Sequence, residues 1–368
     1  MAVKSGTMES VVIDKTFWQN KSVLITGHTG FKGSWLSLWL TQLGAKVTGY
    51  ALAPNTTPSI YEALELKTII NSAMADISDL SRLSELVNQT QPDVVFHLAA
   101  QSLVKPSYLD PVGTYQTNVM GTVNLLETVR HCPSVQAVVV VTSDKCYENH
   151  EWSWPYREND RLGGHDPYSN SKGCAELVTS AYRQSFFMAN KTAIASARAG
   201  NVIGGGDWSE YRLIPDLIKA NQTGHSLEIR HPRAIRPWQH VLEPLSGYLL
   251  LAQHMVERGA EVADAWNFGP AMEDTKPVDY IVEFAQQRWP SLDWFAPQHN
   301  EHHEASILML DCSKARQQLD WQPVWHIDDA LSLTFDWYDA FYSGKPMREI
   351  SLQQIQQFVQ DSNASSIT

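Results

Sequence analysis

Between residues 21 and 201, short apolar runs alternate with amphipathic stretches, and this repetition leaves the chain few folds. Val23-Leu24-Ile25-Thr26 reads as a buried strand, residues 31–43 as a helix with Trp35, Leu36, Trp39 and Leu40 on one face, and residues 46–52 as a second strand. Helices are predicted over 78–89, 118–130 and 168–188. Strands are predicted over 93–98, 136–142 and 192–199, of which 136–142 is too valine-rich for a helix. Repeated β-α units with short, apolar strands predict a parallel sheet covered on both faces. After Gly206 tryptophan, proline and histidine become frequent, and helices over 214–222, 245–257, 278–288 and 327–342 are joined by irregular connections. The polar tail after Asp361 is expected to fray.

Gly27-His28-Thr29-Gly30-Phe31-Lys32-Gly33 follows the first strand and opens the first helix. Glycines at this spacing allow a tight turn, close backbone approach to a pyrophosphate, and close packing of helix on strand. The pattern is Gly-x-x-Gly-x-x-Gly, and no acid follows the second strand (Tyr50-Ala51-Leu52-Ala53) to bind a ribose. With no arginine there to favour a 2′-phosphate, NAD is favoured over NADP. Asp76 either meets the adenine or caps a turn. Small residues in His97-Leu98-Ala99-Ala100 let a cofactor lie against a strand end, while His97 between Phe96 and Leu98 reads as structural. The expected fold is therefore α/β: a Rossmann-type, doubly wound parallel sheet over residues 18–205, with a smaller, mostly helical C-terminal substrate lobe over 206–360 completing a cleft.

Two further motifs carry chemistry. Tyr168 and Lys172 lie one helical turn apart, and the lysine's charge with an oxidised nicotinamide should lower the tyrosine pKa. Ser143, at a strand end, would hydrogen-bond the same substrate hydroxyl. Beside it, Asp144-Lys145 is either a second proton-handling pair or a surface ion pair. Arg236 reads as a clamp for a diphosphate, since guanidinium offers paired donors to phosphate. Trp208 and Trp238 either pack on a base or fill the second lobe.

At 368 residues the chain can bury a large core, and 43% hydrophobic with 18% charged residues is ordinary for a globular protein. The net charge of −12 argues against wrapping nucleic acid. Four scattered cysteines show no zinc spacing, no apolar run is long enough to span a membrane, and residues 1–10 lack a signal-peptide order. Reduced thiols, no metal site, no membrane partner and a cytoplasmic location are the expectations.

The glycine loop, the Ser143/Tyr168/Lys172 set and Asn118 together resemble the extended short-chain dehydrogenase/reductases over residues 21–342. Within that family, nucleotide-sugar 4,6-dehydratases typically carry Thr-Asp-Glu where this chain has Ser143-Asp144-Lys145. An Asp-Lys pair is the variation associated with members acting on CDP-D-glucose, which segments 27–33, 201–208 and 235–241 also resemble. The resemblance implies that NAD is held by Gly27, Thr29, Gly30, Phe31, Lys32 and Gly33. It adds Asp76, Ile77, Leu98, Ala99, Ala100, Asn118 and Thr142 to that set, together with Tyr168 and Lys172. It places Gln101, Ser143, Asn201, Arg212, Leu213, Arg236 and His240 at the substrate. It implies a homodimer or homotetramer serving deoxysugar biosynthesis for surface polysaccharide. Tyr168 would take the proton of the sugar 4-hydroxyl, Lys145, if kept neutral, the C5 proton, and protonated Asp144 would donate to the leaving 6-hydroxyl. A 4-epimerase of the same fold needs no such acid-base pair. A non-catalytic NAD-sensing regulator would have no reason to keep Ser143, Tyr168 and Lys172 together.

Overall fold

The computed structural model describes residues 13–188, 191–297 and 306–365; the leader reading for residues 1–10 lies outside them. Seven parallel strands form the central sheet: β1 (Ser22–Thr26), β2 (Lys46–Ala51), β3 (Asn71–Met74), β4 (Val94–His97), β5 (Ala137–Val141), β6 (Ala193–Ala199) and β7 (Ala265–Phe268), in the order β7-β6-β5-β4-β1-β2-β3. The expected doubly wound sheet is present, and its order reverses between β1 and β4, where such folds bind ligands.

Strand residues divide between two cores by simple alternation. Val23, Ile25, Phe96, Val139 and Val141 face one core, while Leu24, Val95, Val138 and Val140 face the other. Both faces are dry, which is why β5 can be four consecutive valines after Ala137. The longer helices are α1 (Phe31–Gln42), α2 (Leu80–Thr90), α3 (Gly121–Arg130), α4 (Pro167–Tyr182), α5 (Leu213–Thr223), α6 (Leu242–Arg258), α7 (Val278–Arg288), α8 (Ile327–Tyr342) and α9 (Met347–Ser365), with short helical turns between them, among them Val104–Leu109 and Pro111–Tyr115.

The structure departs from the sequence reading at four places. First, α1 is buried all round from Gly33 to Leu40, because α6 and α9 cover the side expected to face solvent. Second, the helix predicted from 118 begins as a π-turn, Gln116–Met120, that turns Asn118 inward. Third, β7 comes from the C-terminal segment yet pairs with β6, Ala265 opposite Ser196, so the division at 205/206 crosses the central sheet. Fourth, the tail is not frayed at 361. α9 continues to Ser365, buries Met347, Ser351, Ile355 and Phe358 at helical spacing, and seats Phe358 edge-on to Trp39 with ring centres 5.7 Å apart. Asp361 anchors it by accepting from Trp325 Nε1 at 2.8 Å.

Candidate active site

A cavity of about 740 Å³ opens at the carboxyl ends of β1, β4 and β5. Its floor is the glycine loop. Gly27 has φ +78°, and a Cβ there would lie 2.7 Å from the Ala99 nitrogen, so only glycine lets the ends of β1 and β4 meet. A Cβ on Gly33 would sit 2.1 Å from the Gly27 carbonyl oxygen. Gly30 caps α1 without a side-chain hydrogen bond, leaving the first N–H groups of the helix to the cavity. His28 turns away: its Nε2 pairs with Ser72 Oγ at 2.6 Å, its ring fills the space over Gly49, and burial pushes its pKa down to about 4.

Thr29 donates to the Leu52 carbonyl at 2.8 Å, tying the loop to the end of β2, where Leu52, Ala53, Asn55 and Thr56 line the wall. Asp76 is exposed at the rim and accepts from the Ser78 N–H at 2.8 Å; Ile77 beside it is buried against Gly121. Leu98, Ala99, Ala100 and Gln101 form the next wall. Asn118 does not line the cavity. It accepts from the Gln101 N–H at 2.8 Å, donates to the Gln101 carbonyl at 2.9 Å, and so holds that wall from behind rather than touching a ligand. His97 pairs with Thr26 at 2.7 Å and Thr122 at 3.2 Å, as a structural histidine should.

The candidate catalytic side chains come from the turn after β5 and from α4. Ser143 caps the turn after β5, accepting from the Lys145 N–H and donating to Asp144 Oδ1 at 2.9 Å. Asp144 is buried, and its other oxygen has no hydrogen-bond partner among the described residues. Burial raises its pKa, against the opposing pull of Lys145, Ser143, Arg236 and Lys32. Lys145 lines the same cavity, half-buried. Tyr168 and Lys172 are both buried on one face of α4, with Lys172 Nζ donating to the Val141 carbonyl at 3.3 Å.

The expected drop in the tyrosine pKa is absent from the protein alone. Burial pushes Tyr168 up to about 12, opposed first by the Ser143 hydroxyl, and pushes Lys172 down to about 8. Desolvating a phenolate in this pocket outweighs the Ser143 hydrogen bond and the attraction of the Arg212 guanidinium. Lys32 reaches in from α1; enclosure brings it down to about 7, and the positive charges of Arg212 and Lys172 act in the same direction.

On the substrate side, Asn201, Leu213 and Arg236 line the cavity with Gln101. Arg212 reaches across, pairing with Asp207 at 2.8 Å and donating to Ser102 at 3.1 Å. His240 is a correction: it is fully buried between Trp35 and Trp325, accepts from the Leu242 N–H at 3.3 Å, and lines no part of the cavity. Trp208 and Trp238 border the cavity while packing into the second lobe, Trp208 against Trp337 and Phe341. Sequence reasoning missed Arg230 and His231, which line the far end, and the buried Glu176–Arg198 pair behind α4. The spacing of Glu176 from Lys172 was a visible signal; a single arginine in β6 was not.

The sequence matches the model of the family described as GDP-mannose 4,6 dehydratase over residues 24–334. The chain belongs to this family. A CDP-glucose 4,6-dehydratase of Salmonella typhimurium is 51% identical over 354 residues, which cover 95% of this chain and 99% of that one. An epimerase from Methanothermobacter thermautotrophicus shares the fold with a TM-score of 0.79 at 22% identity, covering 92% of this chain and 98% of that one. A dTDP-glucose 4,6-dehydratase of Bacillus anthracis, solved with NAD, gives 0.72 at 21% identity, with 87% and 96% covered. The glycine loop and the α4 tyrosine-lysine pair share one cavity. Among the described residues no helix is long and apolar enough to cross a membrane.

Proposed function

We propose that the chain is an NAD-dependent CDP-D-glucose 4,6-dehydratase, a hydro-lyase converting CDP-D-glucose to CDP-4-dehydro-6-deoxy-D-glucose and water. The observation that carries the dehydratase reading is Asp144. A buried carboxyl with a raised pKa and an unpaired oxygen, beside Tyr168, is an acid poised to donate, and 4-epimerisation has no use for one. Identity with the Salmonella typhimurium relative over nearly the whole chain supports the cytidine nucleotide.

The glycine cradle fits NAD, since side chains at Gly27 and Gly33 would collide with backbone where a pyrophosphate must approach. Gly30, Phe31 and Lys32 would meet the phosphates, Asp76 and Ile77 the adenine side, and Thr142, Tyr168 and Lys172 the nicotinamide side. When bound, NAD supplies a reversible hydride acceptor, so oxidation at C4 and reduction at C6 need no outside redox partner. Tyr168 takes the 4-hydroxyl proton, which requires positive charge beside a phenol otherwise near 12; the Arg212 guanidinium, with Lys172 one helical turn along α4, supplies this chain's share. Ser143 orients that hydroxyl. The 4-ketone acidifies C5, Lys145 takes its proton, and Asp144 protonates the departing 6-hydroxyl. Lys145 then returns a proton to C5. Arg236 and Arg212 hold the diphosphate through charge-assisted hydrogen bonds.

The enzyme works in the cytoplasm as a homodimer or homotetramer, supplying deoxysugar intermediates for surface polysaccharide. Exposed Leu109, Val112, Met120 and Leu177 on the helices around α3 and α4 support a seam there. Offering CDP-, UDP-, GDP- and dTDP-glucose in competition, with NAD present, tests the assignment. Preferential loss of one water from CDP-glucose is expected. Inversion at C4 without mass change would make it an epimerase, and four untouched substrates would favour a sensor.

A further inference from the structure

Glu176 lines no part of the cavity, yet it is only 3% exposed. It follows Tyr168 and Lys172 at intervals of four on α4, so the three side chains share one helix face. One of its oxygens accepts from Thr142 Oγ1. The other accepts from Ser196 Oγ at 2.6 Å and from an Arg198 terminal nitrogen at 2.8 Å. Arg198 extends the network to the Tyr147 hydroxyl at 2.8 Å and the Glu158 carbonyl at 3.0 Å, and Tyr147 donates in turn to Asn267 on β7 at 2.7 Å. Thr142 directly precedes Ser143-Asp144-Lys145. A single carboxylate therefore joins the helix carrying Tyr168 and Lys172 to the turn carrying the elimination pair, and both to β6.

We propose that Glu176 is a positioning residue that supplies the counter-charge to Lys172 and locks the turn at 142–145 against α4. The inference rests on the dehydratase reading for its catalytic consequence, but not for the charge it assigns. Lys172 is faced by Tyr168 and Glu176 from its own helix, Cys146 from the turn after β5, His97 from β4 and Lys32 from α1. Burial keeps the Cys146 thiol and the Tyr168 phenol protonated and His97 neutral, while Lys32 repels. Glu176 is the one settled negative charge in that set. Its own pKa is held down, against burial, first by the charge of Arg198 and then by the hydrogen bonds from Arg198, Ser196 and Thr142; Arg183 lies further along the same network. A buried ammonium without such a partner gives up its proton.

The test is the titration of Lys172, read by NMR on the full chain labelled in lysine side chains. Its signal is assigned by its loss in Lys172→Ala. In Glu176→Gln the midpoint should fall by about one pH unit or more, and the alkaline limb of kcat/KM should fall with it. Glu176→Gln leaves Arg198 buried without its partner and can fail to fold, so the double variant Glu176→Gln, Arg198→Met removes both charges and should show the same direction of shift. An unchanged Lys172 midpoint in either folded variant overturns the proposal. Because the titration is read without substrate, it fails or holds separately from the assignment of CDP-glucose as substrate.

Discussion

Asp144 and Lys145 are adjacent in sequence and differ in setting. The acid is enclosed, with its proton favoured by burial, whereas the amine reaches the same cavity from a half-buried position and has no hydrogen-bond partner for Nζ among the described residues. The pair can therefore divide the elimination, one group giving a proton and the other taking one. Since burial favours the neutral form of Asp144, the nearly isosteric Asp144→Asn should fold normally. We expect it to lose about 10²–10⁴-fold in water loss while still oxidising C4, a pattern followed by the absorbance of the reduced cofactor and the mass of the sugar nucleotide. Unimpaired water loss would remove Asp144 from the acid role. Lys145→Ala should likewise still oxidise C4 but no longer exchange the C5 hydrogen with solvent deuterium. Exchange at the normal rate would mean that another base acts at C5.

At the scale of elements, the loop between β1 and α1 depends on backbone contacts that no side chain can replace. Gly33→Ala puts a methyl group 2.1 Å from the Gly27 carbonyl oxygen, so α1 must move off β1. NAD binding measured by calorimetry should drop by at least an order of magnitude, whereas Gly30→Ala, whose methyl would meet the same oxygen at 3.4 Å, should bind far closer to wild type. Equal affinities would show that the cradle is not the binding loop. Five of the six strands up to β6 were legible because each is a short dry run bounded by turn residues. Three elements were not. β3 is exposed or half-buried at all four of its residues, Asn71 to Met74. Ala265-Trp266-Asn267-Phe268 carries an asparagine in a four-residue strand whose amide is satisfied by Tyr156 and Asp311 carbonyls far away in sequence. In α9, the buried Ser351 and Gln354 look polar until Trp337 and the Leu333 carbonyl are seen to pair with them. The same reason hid the fate of His240. The resemblance of segment 235–241 places His240 at the substrate, and only the packing of Trp35 and Trp325 shows it inside the core. The clustering of Ser143, Asp144, Lys145, Tyr168 and Lys172 around one cavity was legible because they sit at fixed spacings on one helix and one strand end.

At the scale of the whole molecule, buried ionisable groups set how the fold responds to acid. In the unfolded chain, imidazoles bind protons below about pH 6.5. In the fold, burial holds His28 near 4 and His97 and His240 near 3. The unfolded state therefore takes up protons that the native state refuses. The stability these rings contribute is complete above about pH 6.5 and is lost as pH falls toward their folded values, by roughly 1.4 kcal/mol per unit for each ring. Glu243 acts in the opposite sense. Burial raises it to about 8 even though the Val324 and Trp325 N–H groups donate to it, so its contribution is complete at low pH and is lost as pH rises through 8. Asp144, whose pKa burial also raises, and Asp216, pushed up to about 6 by burial, act in the same sense as Glu243, so between about pH 5 and 6.5 the carboxyls offset part of what the three rings lose on acidification. The rings' own share is read from their NMR signals in the folded chain: His28, His97 and His240 should stay neutral from pH 6.5 to 5, and a titration near 6.5 would mean that these histidines are protonated in the native state.

If one cavity performs both oxidation at C4 and elimination across C5 and C6, the reaction run in deuterium oxide with CDP-D-glucose and NAD, read by mass spectrometry and NMR, should give a CDP-4-dehydro-6-deoxy sugar that has lost one water and carries one solvent deuterium at C5. A product of unchanged mass with C4 inverted, or a dehydrated product without deuterium at C5, would contradict it.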